Sequence, residues 1–433
     1  MSGVACADGG DAWSRQRAYG EGTSIGFRHE RRAALGVDAS RAADGDDRLG
    51  RLIDEAHVAA ADQVAGLVAR HAKTMNADEA VLYLADYEQR LLVPLPGVDV
   101  SAREPLQIDA TLGGRVFRDV AMLDVEAADG GRRLWLPLLD GTTRLGVMEV
   151  TVDRLDQHVQ RLYRQLAGLI AEIIVAKDLY GDHYKVIRRR EKMTLEAEMQ
   201  WSMLPPLTFT TPRLSISGML EPCYAIAGDT FDYAYDDDVA RMALIDAMGH
   251  GFEATIMASV VVTTYRHGRR IGATLVEQHR TMDEVFAAHF RDDQFATALI
   301  AEVDARTGRL RWLSAGHPAP LLVRDGRAIG ALECVPTLPI GMGGDAGEIS
   351  EVQLEPGDAL LLHTDGVTEA RSVDGAFFGA ERLADFVGRA AAAGLVPAET
   401  MRRLIHALLD HQGGDLQDDA TMLLVQWHGD NPQ

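Results

Sequence analysis

The chain has 433 residues, a formal net charge of -22, 47% hydrophobic residues and 6% aromatic residues. That length supplies two or three domains with ordinary cores, and the acidity argues against nucleic acid or an anionic membrane surface as the main partner, because phosphate rewards clustered Lys and Arg. No run reaches the roughly 18 apolar residues of a membrane span, and the amino terminus has no basic start followed by an apolar stretch. Cys6, Cys223 and Cys334 stand far apart, which fits a cytoplasmic protein with structural thiols and no disulfide framework.

Residues 1–48 mix Gly, Ala, Asp, Arg and Ser without periodicity, which predicts a disordered lead-in whose cluster Arg28, His29, Glu30, Arg31, Arg32 is solvated. From Leu52 to Ala72, apolar residues at Leu52, Ile53, Ala56, Ala60, Val64, Leu67 and Val68 predict one helix with one buried face, opening a domain over 49–180. Residues 80–85 and 91–95 read as strands joined by the turn Asp86 to Arg90, and 113–117 as a short helix. The runs 134–139 and 145–150 form a hairpin around Asp140-Gly141-Thr142-Thr143, and an amphipathic helix from Asp156 to about Tyr180 closes the unit.

Residues 181–204 read as a helical linker. A seam of Val186, Met193, Met199 and Met203, or of Tyr184, Ile187, Leu195 and Met199, leaves Arg188, Arg189 and Arg190 on a solvated outside. Three heptads at most fit either a plain connector or a parallel coil joining two copies into a homodimer. Pro205 stops this helix. Beyond it the pattern is strand-rich, broken by helices over 253–269, 275–290, 381–392 and 397–409. Strand groups followed by helix groups predict an α+β antiparallel sandwich over 205–430.

The chemistry concentrates between Gly228 and Gly251. Asp229 and Asp232 open one strand, Asp236, Asp237 and Asp238 make an acidic turn, and a second strand from Val239 delivers Asp246 to a glycine-flanked loop. Pairing of the two strands would bring Asp229 and Asp246 together, where like charges repel unless a cation sits between them. Oxygen ligands without a thiolate suit Mg2+ or Mn2+; read alone, acids at hairpin ends also serve as turn formers. Three further segments add acids or turns at strand ends: Leu360 to Gly366 with His363-Thr364-Asp365-Gly366, Asp418-Asp419-Ala420-Thr421 before the run Met422 to Val425, and Ser314-Ala315-Gly316-His317-Pro318.

In that order, and with the entry Gln200-x-x-Met203-Leu204-Pro205, these motifs resemble the SpoIIE-type branch of the PPM metal-dependent serine/threonine protein phosphatases, from Leu204 to about Trp427. The preceding unit resembles a GAF domain, a sensor module that either binds a small molecule or serves as a ligand-free dimerisation domain; no cysteine in it could hold a tetrapyrrole. The phosphatase resemblance implies two Mn2+ or Mg2+ ions that activate a water, with no protein nucleophile. Carried over, Asp229 and Asp246 hold the first ion with the Ala247 carbonyl assisting, and Asp365 and Asp418 join a bridging Asp246 at the second. Asp418 and Asp419 compete for one position, with Asp418 favoured and Asp419 behind it, and Asp232 is expected to bind through water.

The implied substrate is a phosphoprotein, by analogy an anti-sigma-factor antagonist phosphorylated on serine, with the sensor acting through the linker on the helix over 253–269. The chain departs from the family at Ala227, where many relatives have glycine, and at Met248, where animal-type relatives carry a histidine proposed as general acid. His250 and His317 are candidate donors or hydrogen-bonded loop formers, and no arginine stands out for the phosphate. A catalytically inactive scaffold that binds a ligand and a partner is the rival reading, while a phosphodiesterase or nuclease conflicts with the acidity.

Overall fold

The computed structural model describes residues 48–126, 130–225, 228–335, 337–345, 347–414 and 416–430. The lead-in expected to be disordered, with Cys6 and the cluster Arg28 to Arg32, lies outside the described residues apart from residue 48, and so does Ala227.

Helices α1 (48–58) and α2 (Val64–Thr74) stand where the periodicity predicts one helix. The chain leaves the helix at Ala60, which is extended (φ -77°, ψ 163°) and donates its N–H to Gln63 Oε1 at 3.0 Å. The break lets Leu52 and Ala56 on one side, and Val64, Leu67 and Val68 on the other, enter the same core while Val58 stays 88% exposed. Strands β1 (Ala77–Ala85), β2 (Leu91–Pro94) and β3 (Leu106–Gln107), helix α3 (Leu112–Asp119), and strands β4 (Leu123–Glu126), β5 (Arg132–Asp140) and β6 (Thr143–Val152) follow. They form an antiparallel sheet in the order β3-β2-β1-β6-β5-β4. Alternation along the strands divides their side chains. Leu82, Leu84, Leu136 and Met148 meet α2 and α4 (Gln157–Asp178), whereas Val81, Tyr83, Trp135 and Val147 meet Phe117 of α3.

The linker is not one helix. Helix α5 (His183–Ile187) and helix α6 (Leu195–Met203) are separated by a non-helical stretch over 188–194. The arginines expected in solvent are the cause. Arg188 Nε donates to the Ala85 carbonyl at 2.8 Å and its guanidinium lies over the Tyr87 ring, Arg189 pairs with Glu198 at 2.7 Å, and Arg190 pairs with Glu88. Tyr184, placed on the expected seam, is buried and donates its hydroxyl to the Ala61 carbonyl at 3.0 Å. These bonds to the body of the protein replace the helical ladder, so the connector carries no continuous coiled-coil seam.

The second unit runs through β7 (Thr208–Thr210), β8 (Leu214–Glu221), β9 (Asp229–Asp236), β10 (Val239–Ala247), α7 (Phe252–Arg270) and α8 (Leu275–His289). It continues with β11 (Ala296–Asp304), β12 (Arg309–Ala315), β13 (Leu321–Arg324), β14 (Arg327–Ala331), β15 (Ser350–Gln353) and β16 (Ala359–His363). Helices α9 (Asp365–Thr368), α10 (Ala380–Ala392) and α11 (Pro397–Gln412) precede the last strand, β17 (Ala420–Trp427). Two antiparallel sheets result, β15-β12-β11-β10-β9 and β14-β13-β16-β17-β8-β7. Their facing sides bury Phe231, Leu244, Leu299, Leu360, Leu423 and Trp427 between them. The outer sides are covered by α7 and α8 over Ala243 and Ile245, and by α10 and α11 over Leu361 and Met422. This is the expected α+β sandwich, with the four expected helices present within a few residues of their expected ends.

Candidate functional site

The β9–β10 hairpin turns at Asp237 and Asp238, both at positive φ (53° and 62°), a conformation that aspartate tolerates because its short side chain bonds locally. Its register places Asp229 directly opposite Asp246, and on the other side of β10 Asp246 faces Thr297 of β11. Asp229 shares the strand side of Phe231 and Tyr233, and Asp246 that of Met242 and Leu244, so both carboxylates lie on the inner face at one end of the sandwich. Gly228, at φ +151°, accepts the Ala247 N–H at 3.2 Å, and a Cβ there would come within 2.9 Å of the Ala247 carbonyl oxygen.

The second sheet contributes from its facing end. Asp365 begins α9 immediately after β16, and Asp418 and Asp419 lead into β17, the neighbour of β16. Thr364 joins the two sheets: its Oγ1 donates to Asp229 Oδ2 at 2.7 Å and accepts from the Thr421 N–H at 3.1 Å. The Asp229 N–H in turn reaches Asp419 Oδ2 at 3.4 Å. Gly366 sits so close to the Asp418–Asp419 segment that a Cβ would fall 1.9 Å from the Asp419 carbonyl oxygen. Five aspartates distant in sequence thereby share one electrostatic neighbourhood.

Their protonation reflects that crowding. Burial, followed by the charges of Asp246 and Asp419, pushes the Asp229 carboxyl well above the usual range, with the Thr364 hydroxyl offsetting part of the effect. Burial, then Asp365, Asp418 and Asp419, raises Asp246 to about 7. Asp365 is raised by burial and by Asp418. Among the described residues no Arg or Lys forms an ion pair with Asp229, Asp246, Asp365 or Asp418. Nor is any group of three or more His, Cys, Asp or Glu among the described residues arranged to hold a metal ion as it stands. Crowded oxygen donors lacking a basic neighbour are chemically suited to hard divalent cations.

One expectation needs correction, and one pair of alternatives narrows. Asp232 lies three residues beyond Asp229, on the opposite side of the strand, where it faces α7. There Oδ1 accepts from Arg266 Nε at 3.0 Å and Oδ2 from Arg269 Nη1 at 2.7 Å, so it anchors a helix and is not poised for a cation. His317 is 6% exposed; burial, followed by His363, holds its imidazole at about 3, so it is neutral and unsuited to general acid work. His250 is exposed on the loop after β10, and Met248, 38% exposed, donates its N–H to the Phe295 carbonyl. The sequence reading overlooked Thr364 and Thr297, although Thr364 immediately precedes the Asp-Gly pair that drew attention.

Residues 236–428 match the model of the family described as Stage II sporulation protein E (SpoIIE), a span that begins after Asp229 and includes the other four acids. Protein IcfG of Synechocystis sp. is 24% identical over 279 residues, covering 58% of this chain and 43% of that protein. The phosphoserine phosphatases RsbP and RsbU of Bacillus subtilis are 25% and 22% identical, covering 43% and 61% of this chain and 47% and 80% of theirs. The chain thus spans less than half the length of IcfG and of RsbP.

Proposed function

We propose, from the match of residues 236–428 to the Stage II sporulation protein E (SpoIIE) family, that the chain is a metal-dependent phosphatase of the PPM class acting on phosphoserine or phosphothreonine in a protein. The observation that carries this reading is the cross-strand pair Asp229 and Asp246, set in one neighbourhood with Asp365, Asp418 and Asp419 and lacking a basic partner among the described residues. Asp229, Asp246 and the Ala247 carbonyl would hold one Mn2+ or Mg2+, and Asp246, Asp365 and Asp418 a second, with Asp419 orienting the Asp229 main chain. When bound, such ions lower the pKa of a water and neutralise phosphoryl oxygens. The chain's own part is to hold the acids in place. Thr364 fixes one oxygen of Asp229, Gly366 permits the close packing of the two acid-bearing turns, and the hairpin register fixes Asp246.

The substrate in this reading is a protein phosphorylated on serine, supported by the names of the relatives RsbP and RsbU as phosphoserine phosphatases, and by the family resemblance an anti-sigma-factor antagonist. The unit over 49–180 acts as a GAF-like regulator, and a cytoplasmic location belongs to the same reading. No helix among the described residues is long and apolar enough to cross a membrane. A phosphoserine peptide assay with Mn2+ tests the proposal. Asp246→Asn should lose at least about a hundredfold in rate and most of its Mn2+ uptake; wild-type rates for this variant at saturating Mn2+ would refute the site, and an inert wild type would favour the scaffold reading.

A further inference from the structure

The two sheets face each other a second time across two buried histidines, His317 and His363. His317 follows β12 in a tight turn whose Ser314 hydroxyl accepts the His317 N–H at 3.2 Å and donates to the His317 carbonyl at 2.8 Å. Its Nδ1 lies 2.8 Å from Oγ1 of Thr297, the residue directly opposite Asp246 on β11. The other nitrogen, Nε2, is buried and points towards the main-chain carbonyl of His363 without completing a hydrogen bond among the described residues. His363, 4% exposed, ends β16 and has Nδ1 3.0 Å from the Thr364 carbonyl. Thr364 closes the path by holding Asp229. A line of polar groups therefore runs from Thr297, the strand neighbour of Asp246, through the His317 ring to the His363–Thr364 main chain ahead of Asp365, interrupted only where His317 Nε2 faces the His363 carbonyl.

A buried imidazole with an unsatisfied nitrogen costs free energy that an apolar side chain would not. Neither ring touches the carboxylates. Thr297 and Thr364 stand between them and the acids, so the histidines can act only through geometry. From this arrangement we infer that His317, with His363, is a positioning residue that sets the separation between the sheet carrying Asp229 and Asp246 and the sheet carrying Asp365 and Asp418, and thereby determines how tightly the site takes up divalent cations. His317 holds one sheet by Nδ1 and faces the other by Nε2, so each nitrogen serves one side of the joint.

The inference rests on the acids being cation ligands, and its test separates the two ideas. Asn at position 317 keeps an acceptor near the Nδ1 position, and Gln keeps a donor near the Nε2 position, so His317→Asn and His317→Gln each cut one half of the route while filling most of the volume. Mn2+ binding to the full chain is followed by isothermal titration calorimetry, with melting temperature measured without metal and KM for a phosphoserine peptide as second readouts. Both variants should fold, bind Mn2+ at least tenfold more weakly than the parent and keep the parental KM. Parental Mn2+ affinity in either variant, or weaker binding that merely tracks a fall in melting temperature, overturns the positioning role. Absence of Mn2+ uptake by the parent would overturn the acid assignment itself.

Discussion

Arg144 of β6 and Glu399 of α11, 255 residues apart in sequence, meet at 3.0 Å with side chains only 4% and 1% exposed. Glu399 is shared with Arg402, whose Nε lies 2.9 Å away and whose Nη2 also reaches Asp109 of the first unit at 2.6 Å. Arg144 further donates to Gln89 Oε1 and to the Ala398 carbonyl, both at 3.0 Å. The joint between the two units is therefore ionic, with Arg144, Glu399 and Arg402 buried and Asp109 at its exposed edge, and it lies on the helix packed behind β8 and β17, the latter being the strand that Asp418 and Asp419 lead into.

Removing Arg402 takes two hydrogen bonds from buried Glu399 and leaves it only Arg144 and Arg403, at a cost of up to about 3–5 kcal/mol. Arg402→Ala should release the first unit from α11, read as a lower first transition in calorimetry and faster proteolysis between 178 and 204. A single unchanged transition would show that the joint does not depend on Arg402.

The same contact should fail in acid. Burial alone would raise Glu399, but the hydrogen bond and charge of Arg402, then Arg403 and Arg144, prevail and hold it at about 2, below its ordinary 4.5. A depressed carboxylate contributes stability that is complete above the unfolded value and disappears as pH falls through the folded one. Separation of the units should therefore set in between about pH 4.5 and 2, and Glu399→Gln should weaken that dependence in the same calorimetry, leaving the part carried by Asp109, which Arg402 also holds at about 2.

Cation uptake should show the opposite charge logic. Asp246 is raised to about 7 without a cation, so protons compete with Mn2+ below that pH and affinity should climb from pH 5.5 to 7.5 before levelling. The metal-free fold carries the matching penalty: stability linked to Asp246 is complete below about pH 4 and is lost as pH rises through about 7, which added Mn2+ should reverse. Paired melting curves with and without Mn2+ across that range would check both signs.

Asp232→Asn separates the helix anchor from the acid cluster. Arg266 and Arg269 lose their counter-charge, at a cost on the order of 3 kcal/mol, yet Mn2+ affinity measured by calorimetry should remain within about threefold of the parent, since this side chain faces α7. A tenfold loss would place Asp232 back among the cation ligands.

Gly366→Ala should spare the fold more than the site. The added methyl group meets the Asp419 carbonyl oxygen at 1.9 Å, so the two turns must move apart, at about 1–3 kcal/mol for overpacking. Turnover of a phosphoserine peptide should fall at least tenfold with the melting temperature only modestly reduced; unaltered turnover would mean that the Asp365 and Asp418 turns need not touch.

The sandwich was legible because its strands alternate and its helices keep a 3.6-residue period, and Asp229 and Asp246 because two apolar runs flank a short acidic turn. The break at Ala60 was not, since Leu52 and Val64 reach one core equally well from one helix or two. Arg188 to Arg190 read as solvated because their partners, Ala85, Glu198 and Glu88, are set by tertiary packing. Asp232 is a different case: an odd offset from Asp229 on a strand already implies the opposite face, so the signal was present and went unread. Thr364 carries no local signature, since only the meeting of two sheets turns its hydroxyl into a clamp on Asp229.

The interrupted connector decides where this protein could be spliced. Its first half bonds to the first unit, through Tyr184 on Ala61 and Arg188 on Ala85, and its second half to the second unit, through the Arg190 N–H on the Tyr224 hydroxyl and the Thr194 N–H on the Tyr224 carbonyl, with the Arg190 guanidinium reaching back to Glu88. A chimaera joined at Leu204 would strip the second unit of its own covering segment. The workable graft point falls inside the arginine triplet, between residues 188 and 190.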